Sequence, residues 1–506
     1  MIRKKRSSWL ALVALSLVAL LGLSGCSDLF SLITTTTTTT STSTTTSTST
    51  TTSTTVPTTT TTTVTEVKYY TFTDYTYDDA AKSGGVLADG VTYSKYPLSS
   101  TVTANKVNKL YVLDVDPSKN SNMTLRVGRP NGYVSGLDTI RNMANTIDTT
   151  TALTVLGGVN ADFFDTVTGT GGVGGYTLSE GRWLTTGEFN TEATYTVTQF
   201  GSTKTYTKHK GWAFGIKADG SPVISQPNVT MFFDSFTGGT QDHDDTPICI
   251  LNQPRADILP ANTNPANLKR ERLDNTVVLY TPDYAASTKT VANGIDVTFS
   301  TNDTVKSNGL ITGTVTDIST AGDVPLAAGT MVLSGSAGAG VTALSDLAVG
   351  DTIMINVYVD SAWADVVESV GGGRPDGGPL LVHGGSLAKA DGTLVSALAT
   401  TDYSAYEEYS SWYGVNPRTA VGYRADGSYF FMIVDGRRTG TSDGAMISEL
   451  AQLALDLGAV EAVNFDGGGS ATMVLGTGVD GTYTVYNQPS LNSERSDGNG
   501  IFVVAK

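Results

Sequence analysis

Short β-branched and aromatic runs recur from Val67 onwards, broken by Gly, Asn and Asp turns. Lys109-Leu-Tyr-Val-Leu-Asp-Val115 and Asn275-Thr-Val-Val-Leu-Tyr280 read as strands. Asp219-Gly220 and Asp426-Gly427 punctuate hairpins. The flanks of those turns are alike, Ala213-Phe-Gly-Ile-Lys-Ala-Asp-Gly-Ser221 beside Ala420-Val-Gly-Tyr-Arg-Ala-Asp-Gly-Ser428, and Asn160-Ala-Asp162 echoes Asn464-Phe-Asp466. Two short matches in reversed order are thin support for an internal duplication. One stretch has helical period: Met446, Ile447, Leu450, Leu453, Ala454 and Leu457 share a face. Ser442 or Asp443 is placed to cap its start and Gly458 to close it, with Glu449, Gln452 and Asp456 on a solvated face. Residues 290–365 are rich in Thr, Val, Gly and Asp and read as a small inserted β subdomain. The pattern predicts an α+β protein: a β-rich core of mixed or antiparallel sheet, with a few helices and that insertion.

Composition narrows the classes. The chain has 506 residues, 39% hydrophobic and 16% charged, with two Cys. That is ample for a packed core and excludes global disorder and a disulfide-stapled miniature. The net charge is −16, and loss of the four cations Arg3, Lys4, Lys5 and Arg6 takes it to −20. Such a chain is repelled by nucleic acid and by anionic membrane surfaces.

Those four cations open an export signal. An apolar run from Trp9 to Leu21 follows, too short to span about 30 Å of hydrocarbon comfortably. Leu23-Ser-Gly-Cys26 resembles the bacterial lipobox, which implies a signal peptide over 1–25, acylation of Cys26 and tethering to the outer face of a bacterial membrane. Residues 34–63 are Thr or Ser except Val56 and Pro57, so 26–65 reads as a solvated linker ahead of a body at 66–506. Cys249, without a pairing partner once Cys26 is acylated, reads as an inert buried thiol.

The densest cluster of chemical groups lies between Asn416 and Met473. Asn416-Pro-Arg418-Thr-Ala-Val-Gly422 enters a hairpin that returns to Val434-Asp435-Gly436-Arg437. After the helix come Asn464-Phe-Asp466-Gly-Gly-Gly469-Ser470-Ala-Thr472-Met473. Three glycines after an acid let the backbone approach a ligand, and successive N–H groups there make an anion-binding nest, to which Ser470 adds a hydroxyl. Tight turns also use glycine for geometry alone, so this motif by itself is weak.

In that order these motifs resemble the phosphodiester glycosidase family. Asn160-Ala-Asp-Phe-Phe164 is similar to its early Asn-containing turn, Gly377-Gly-Pro-Leu-Leu-Val-His-Gly384 to its Gly-Gly-Pro strand, and Asn487-Gln-Pro-Ser490 with Glu494-Arg495 to its closing motif. The resemblance runs over roughly residues 100–505. Two departures stand out: Arg374-Pro-Asp376 interrupts the glycine run, and Ser496-Asp497-Gly498 stands where members often have an apolar residue. The resemblance implies an exported hydrolase acting on a sugar-1-phosphodiester or related anionic glycan at the anomeric C–O bond. The alternative is a non-catalytic glycan-binding or exopolysaccharide-processing surface module.

Phosphate departs readily, so the reaction needs charge stabilisation plus a carboxylate that attacks or activates water. Asp466 and Asp162 are the first candidate carboxylates, with Glu449 behind them. Arg418, Arg437 and the Gly467, Gly468 and Gly469 amides are candidates for phosphate. Asn160 and Asn464 are candidates for sugar hydroxyls, and Asp435, Ser470, Arg495 and His383 complete the substrate set. Each has a plainer alternative: Asp466 as a turn cap, Asp162 as a turn acid, Asp435 as a hairpin closure, Arg495 as an ion-pair partner, His383 as a buried hydrogen-bonded residue. Trp183, Trp412 and Tyr413 read either as sugar platforms or as core. Asp242-His-Asp-Asp245 reads as an acidic loop. No zinc spacing, P-loop or Gly-x-Ser-x-Gly elbow is present, so no cofactor is expected, and a divalent cation is left open without a specific motif to indicate one.

Overall fold

Every residue of Tyr429–Val434 (Tyr-Phe-Phe-Met-Ile-Val) is buried, because the strand is covered on both faces. Phe430, Met432 and Val434 pack with Leu450, Leu453 and Ala454 of the helix Ile447–Asp456, while Tyr429, Phe431 and Ile433 pack with Val159, Ile501 and Val503 of a second sheet. The period of two thus sorts one strand's side chains into two cores. A computed structural model describes residues 66–165, 171–187, 194–199, 202–207, 211–252, 272, 276–371, 379–388, 414–477 and 481–506. The signal segment, Cys26, the Thr/Ser linker, Arg374–Asp376, Gly377, Trp412 and Tyr413 lie outside them.

Among the described residues the main sheet has nine strands, all antiparallel. Its centre runs Val107–Val115, Tyr429–Val434, Arg418–Tyr423, Glu461–Asn464 and Leu380–His383. The second sheet orders Tyr483–Val485, Met473–Gly476, Thr154–Asn160, Gly500–Ala505 and Met123–Gly128. Its outer face, with Val155, Val474, Phe502 and Val504, is covered by Ile140, Met143, Ala144 and Ile147 of the helix Ile140–Thr150. The layers are therefore helix, sheet, sheet, helix, which is a β-rich α+β architecture.

Both expected Asp-Gly hairpins form, Ala213–Lys217 with Pro222–Ser225 and Arg418–Tyr423 with Tyr429–Val434, but in different sheets. The expected helix forms with a different cap. The Glu449 carboxylate receives the Met446 N–H at 2.7 Å, whereas Ser442 Oγ donates to Asp435 O and Asp443 accepts from Val107 N. Gly458, at φ +87°, closes it as expected.

The region 290–365 supplies Ile295–Ser300, Leu310–Ser319, Thr330–Gly335 and Thr352–Val359 to an eight-stranded sheet. That sheet also takes Val229–Thr237, Thr240–Ile248, Ile250–Leu251 and Val277–Tyr280, so it begins well before the compositional change. The acidic stretch Asp242–Asp245 is not a loop, contrary to its composition. It belongs to the strand Thr240–Ile248, which lies at the sheet's end.

Candidate functional site

The two Asn-x-Asp echoes meet. Thr154–Asn160 ends in the second sheet and Glu461–Asn464 ends in the main sheet, and the turns that leave them clasp each other. Asn160 Nδ2 donates to the Asp466 carbonyl at 2.7 Å, and the Asp466 N–H donates to the Ala161 carbonyl at 2.9 Å. Asn160 Oδ1 accepts from Thr419 Oγ1 at 2.9 Å and from the Thr472 N–H at 3.1 Å. Asn160 is thus a staple between the sheets, with both ends of its side chain engaged by protein groups. Asn464 differs: its amide donates to the Phe465 carbonyl at 2.6 Å, while its Oδ1 is buried without a partner among the described residues.

Asp162 and Asp466 are brought into one electrostatic neighbourhood. Asp162 is 2% exposed. Its N–H donates to Asn499 Oδ1 at 2.9 Å, Asn499 Nδ2 returns to Asp162 Oδ2 at 2.6 Å, and Thr177 Oγ1 adds a longer bond. A side chain on Gly175 would sit 2.5 Å from Asp162 Oδ1, so only glycine admits the carboxyl there. Burial pushes Asp162 up to about 7, the Asp466 charge adds to the rise, and the hydrogen bonds to Asn499, Gly371 and Thr177 oppose it. Asp466 is less enclosed, its side chain 15% exposed, with Oδ2 accepting from Ser470 Oγ at 2.6 Å and from Arg495 Nη2 at 3.3 Å.

Guanidinium groups flank the glycine turn. Arg437 is exposed and holds the left-handed conformation at φ +59°, an uncommon one for a non-glycine residue. Its Nε and Nη2 donate to Asn416 Oδ1, and Nη2 would lie 3.1 Å from a side chain at Gly468, itself at φ +61°. Arg495 stands on the other side, 3.3 Å from where a side chain of Gly469 would begin, with its guanidinium 4.8 Å from the Phe164 ring centroid. The turn is pinned below by Gly468 N–H to Pro417 O at 2.9 Å.

Asp497 and Asn499 were not singled out as site residues from sequence, although Asp497 marks one of the two departures from the family pattern. Asp497 is 1% exposed, and Arg495 Nε reaches its Oδ1 at 3.4 Å, so one guanidinium touches both Asp497 and Asp466. Burial first, then the Asp466 charge, pushes Asp497 up to about 8, against the pull of Ser470 and Arg495. The available signal was an acid two residues past an arginine, directly ahead of an apolar strand.

Other candidates are placed elsewhere. Arg418 is buried, and its Nε and Nη2 donate to the carbonyls of Ala445 and Gly414, so it clamps main chain. Asp435 is 1% exposed and accepts from Asn487 Nδ2 and the Gln488 N–H, holding the closing segment; burial raises its pKa. Glu449 is not solvated: it is 7% exposed and paired to Lys106 Nζ at 2.6 Å. His383 is exposed rather than buried, and pairs with Glu461 at the far end of the strand that finishes in Asn464. Trp183 is core, 1% exposed beside Trp363, with Nε1 bonded to Ser307. Cys249 is a free thiol, half-buried, and burial pushes its pKa up. Among the described residues no cluster of three His, Cys, Asp or Glu side chains is arranged to hold a metal ion.

Residues 303–504 match the family model described as phosphodiester glycosidase. The match contains the segments 416–418, 464–470 and 495–499, and Asn160 and Asp162 precede it. No curated protein matches the chain. Among solved structures, a putative exported protein of Burkholderia pseudomallei is similar at 17% identity and TM-score 0.57, over 86% of this chain and 100% of that one. A hypothetical protein of Synechocystis is similar at 17% identity and TM-score 0.54, over 82% of this chain and 62% of that one, so the chain spans under two thirds of that protein. The catalytic domain of zebrafish N-acetylglucosamine-1-phosphodiester alpha-N-acetylglucosaminidase aligns at 12% identity and TM-score 0.38, over 86% and 96%.

Proposed function

With the phosphodiester glycosidase match over residues 303–504 as premise, we propose that this protein hydrolyses a sugar-1-phosphodiester, or a related anionic glycan, at the anomeric C–O bond. Asp466 is the reacting carboxylate, attacking the anomeric carbon or directing water onto it. Arg437 and Arg495, with the turn amides they flank, receive the departing phosphate. A phosphomonoester ionises with a second pKa of about 6, so it leaves with little protonation, and the catalytic need is charge stabilisation. Asp162, kept neutral by burial up to about pH 7, is the acid available to hydrogen-bond the sugar or the bridging oxygen.

The observation that carries this reading is the mutual clasp of Asn160-Ala161-Asp162 and Asn464-Phe465-Asp466. It fixes two unlike carboxyls, one buried and one partly open, beside a guanidinium-flanked glycine turn. The decisive experiment incubates the purified protein with a panel of sugar-1-phosphodiesters and measures free sugar, with Asp466→Asn as control. Release lost in the variant supports the reading. Tight glycan binding without release across the panel supports a non-catalytic surface module instead.

The location belongs to the same proposal. The charged start, the apolar run and Leu23-Ser-Gly-Cys26 support a lipid-anchored protein outside the cytoplasm, with the Thr/Ser segment as a spacer. Cys26→Ser is expected to abolish lipid labelling and move the protein out of the membrane fraction. Unchanged labelling overturns the anchor.

A further inference from the structure

An antiparallel sheet with one wet face alternates apolar inward and polar outward positions. One patch of the eight-stranded sheet departs from that rule. Val229–Thr237, Thr352–Val359 and Leu310–Ser319 lie side by side there. Their inward positions, among them Phe233, Ile355 and Ile311, fill a core. Their outward positions include Phe232, Phe236, Tyr358 and Leu310, where polar residues are the rule. Tyr358 is 53% exposed and Leu310 49%, and both phenylalanines are half-buried.

Register fixes how these groups are set out. Asn356 lies between Phe232 on one side and Leu310 on the other, and Tyr358 lies across from Thr230. The Phe232 and Tyr358 rings meet edge to face, 6.3 Å between centroids and 61° between planes. Asp234 follows Phe232 on the same face of its strand and accepts from Asn356 Nδ2 at 3.4 Å, and Phe236 comes next. Aromatic rings thus alternate with an amide and a carboxylate on one face.

We propose that this face binds an uncharged polysaccharide, on a different sheet from the glycine turn and the two aspartates. Sugar rings lay their C–H faces on aromatic side chains, and their hydroxyls both donate and accept, which suits an amide and a carboxylate set between rings. A protein partner fits poorly. It would have to desolvate Asp234 and Asn356 among the rings, in the part of an interface where charge is depleted. A second copy meeting this face about a two-fold axis would bury that pair twice. The three strands carry no Lys or Arg, so an anionic chain finds no counter-charge. Phe232 and Phe236, four residues apart, stand about 13 Å apart along the strand. That is wider than one sugar ring, so the face takes a chain rather than a single sugar. None of these residues belongs to the candidate site, and the inference stands whether or not the protein hydrolyses a phosphodiester.

The test is native electrophoresis of the purified protein through gels holding mixed-linkage β-glucan, galactomannan or dextran, with alginate as the anionic comparison. Wild type and Asp466→Asn are expected to be retarded alike by at least one neutral polymer and not by alginate. Tyr358→Ala and Phe232→Ala are each expected to weaken that binding on the order of tenfold, as truncation of a central aromatic contact does. Val349→Ser removes an apolar side chain that is 65% exposed in the turn ahead of Thr352–Val359, and is expected to bind as wild type does. Tyr358 is exposed, so Tyr358→Ala decides alone if the melting curve shows that Phe232→Ala does not fold. Absence of retardation by all three neutral polymers overturns the proposal, as does equal retardation of wild type and folded Tyr358→Ala. Retardation lost in Asp466→Asn but kept in Tyr358→Ala overturns it in favour of the candidate site. A wild-type dimer in sedimentation that Tyr358→Ala dissociates overturns it in favour of a second copy.

Discussion

The side-chain amide of Asn160 donates to the main-chain carbonyl of Asp466 at 2.7 Å, across 306 positions of sequence, and the Asp466 N–H returns to Ala161. The bond holds one turn of the site against the other. Asn160→Ala removes it together with the bonds from Thr419 Oγ1 and the Thr472 N–H, leaving buried polar groups that each cost about 1–3 kcal/mol when unpaired. The variant is expected to melt earlier and to lose kcat, as both aspartates drift. A variant that raised KM with an unchanged melting temperature would place Asn160 in the sugar-binding set.

The glycine turn allows a sharper comparison. A methyl at Gly467 meets the Pro417 carbonyl at 2.6 Å, and that atom is backbone that cannot rotate away. At Gly468 the nearest atom is the tip of Arg437 at 3.1 Å, so the cost there is that of the left-handed φ, about 1 kcal/mol. Gly467→Ala is expected to cost more stability than Gly468→Ala, in the about 1–3 kcal/mol range of overpacking. Chemical denaturation of the two variants checks the order, and the reverse order means that the turn is not pinned on Pro417.

Stability is expected to fall with rising pH. Unfolded aspartates lose their protons near pH 4, whereas Asp162 and Asp497 keep theirs in the native protein up to about 7 and 8 because they are buried. Between those limits the native state binds more protons than the unfolded state, so each rise in pH favours unfolding. This contribution is fully present below about pH 4 and is lost by about pH 8. Denaturation midpoints measured from pH 5 to 8 are expected to decline, and more steeply in wild type than in Asp497→Asn. A midpoint that climbs across this range contradicts the neutral state of both acids.

Local pattern made the strands, both Asp-Gly hairpins and the helix Ile447–Asp456 legible, because period and turn chemistry are written in adjacent residues. The clasp was visible only as an echo. Asn160 and Asp466 announce themselves as chemistry-bearing types, but the partner that decides the role of Asn160 is a backbone carbonyl far along the chain. Glu449 misled for a similar reason: helical period places it with Gln452 and Asp456, and nothing nearby in sequence says that Lys106 covers it. Arg418 and Asp435 carry attractive charges yet satisfy Gly414, Ala445 and Gln488. Asp497 was legible as a departure from a family pattern, and its burial supplied the meaning.

The arginines can be separated by substrate. Arg437 is exposed beside Gly468, and its guanidinium contacts Asn416 and the turn, so it is free of buried structural duty. Arg418 is buried and tied to two carbonyls. If Arg437 receives the departing phosphate, Arg437→Ala is expected to lower kcat on a sugar phosphodiester by about 10²–10³, the usual effect of removing a preorganised transition-state donor. An aryl glycoside, whose leaving group carries no phosphate, is expected to lose much less. Arg418→Ala is expected to lower stability and to reduce both substrates alike, since it loosens the loop that carries Asn416 and Pro417. Arg495→Lys is expected to hurt both substrates too, because an ammonium cannot hold the fork that reaches Asp466 and Asp497 together. Equal damage to both substrates in a folded Arg437→Ala moves the phosphate from Arg437 to Arg495 and the turn amides.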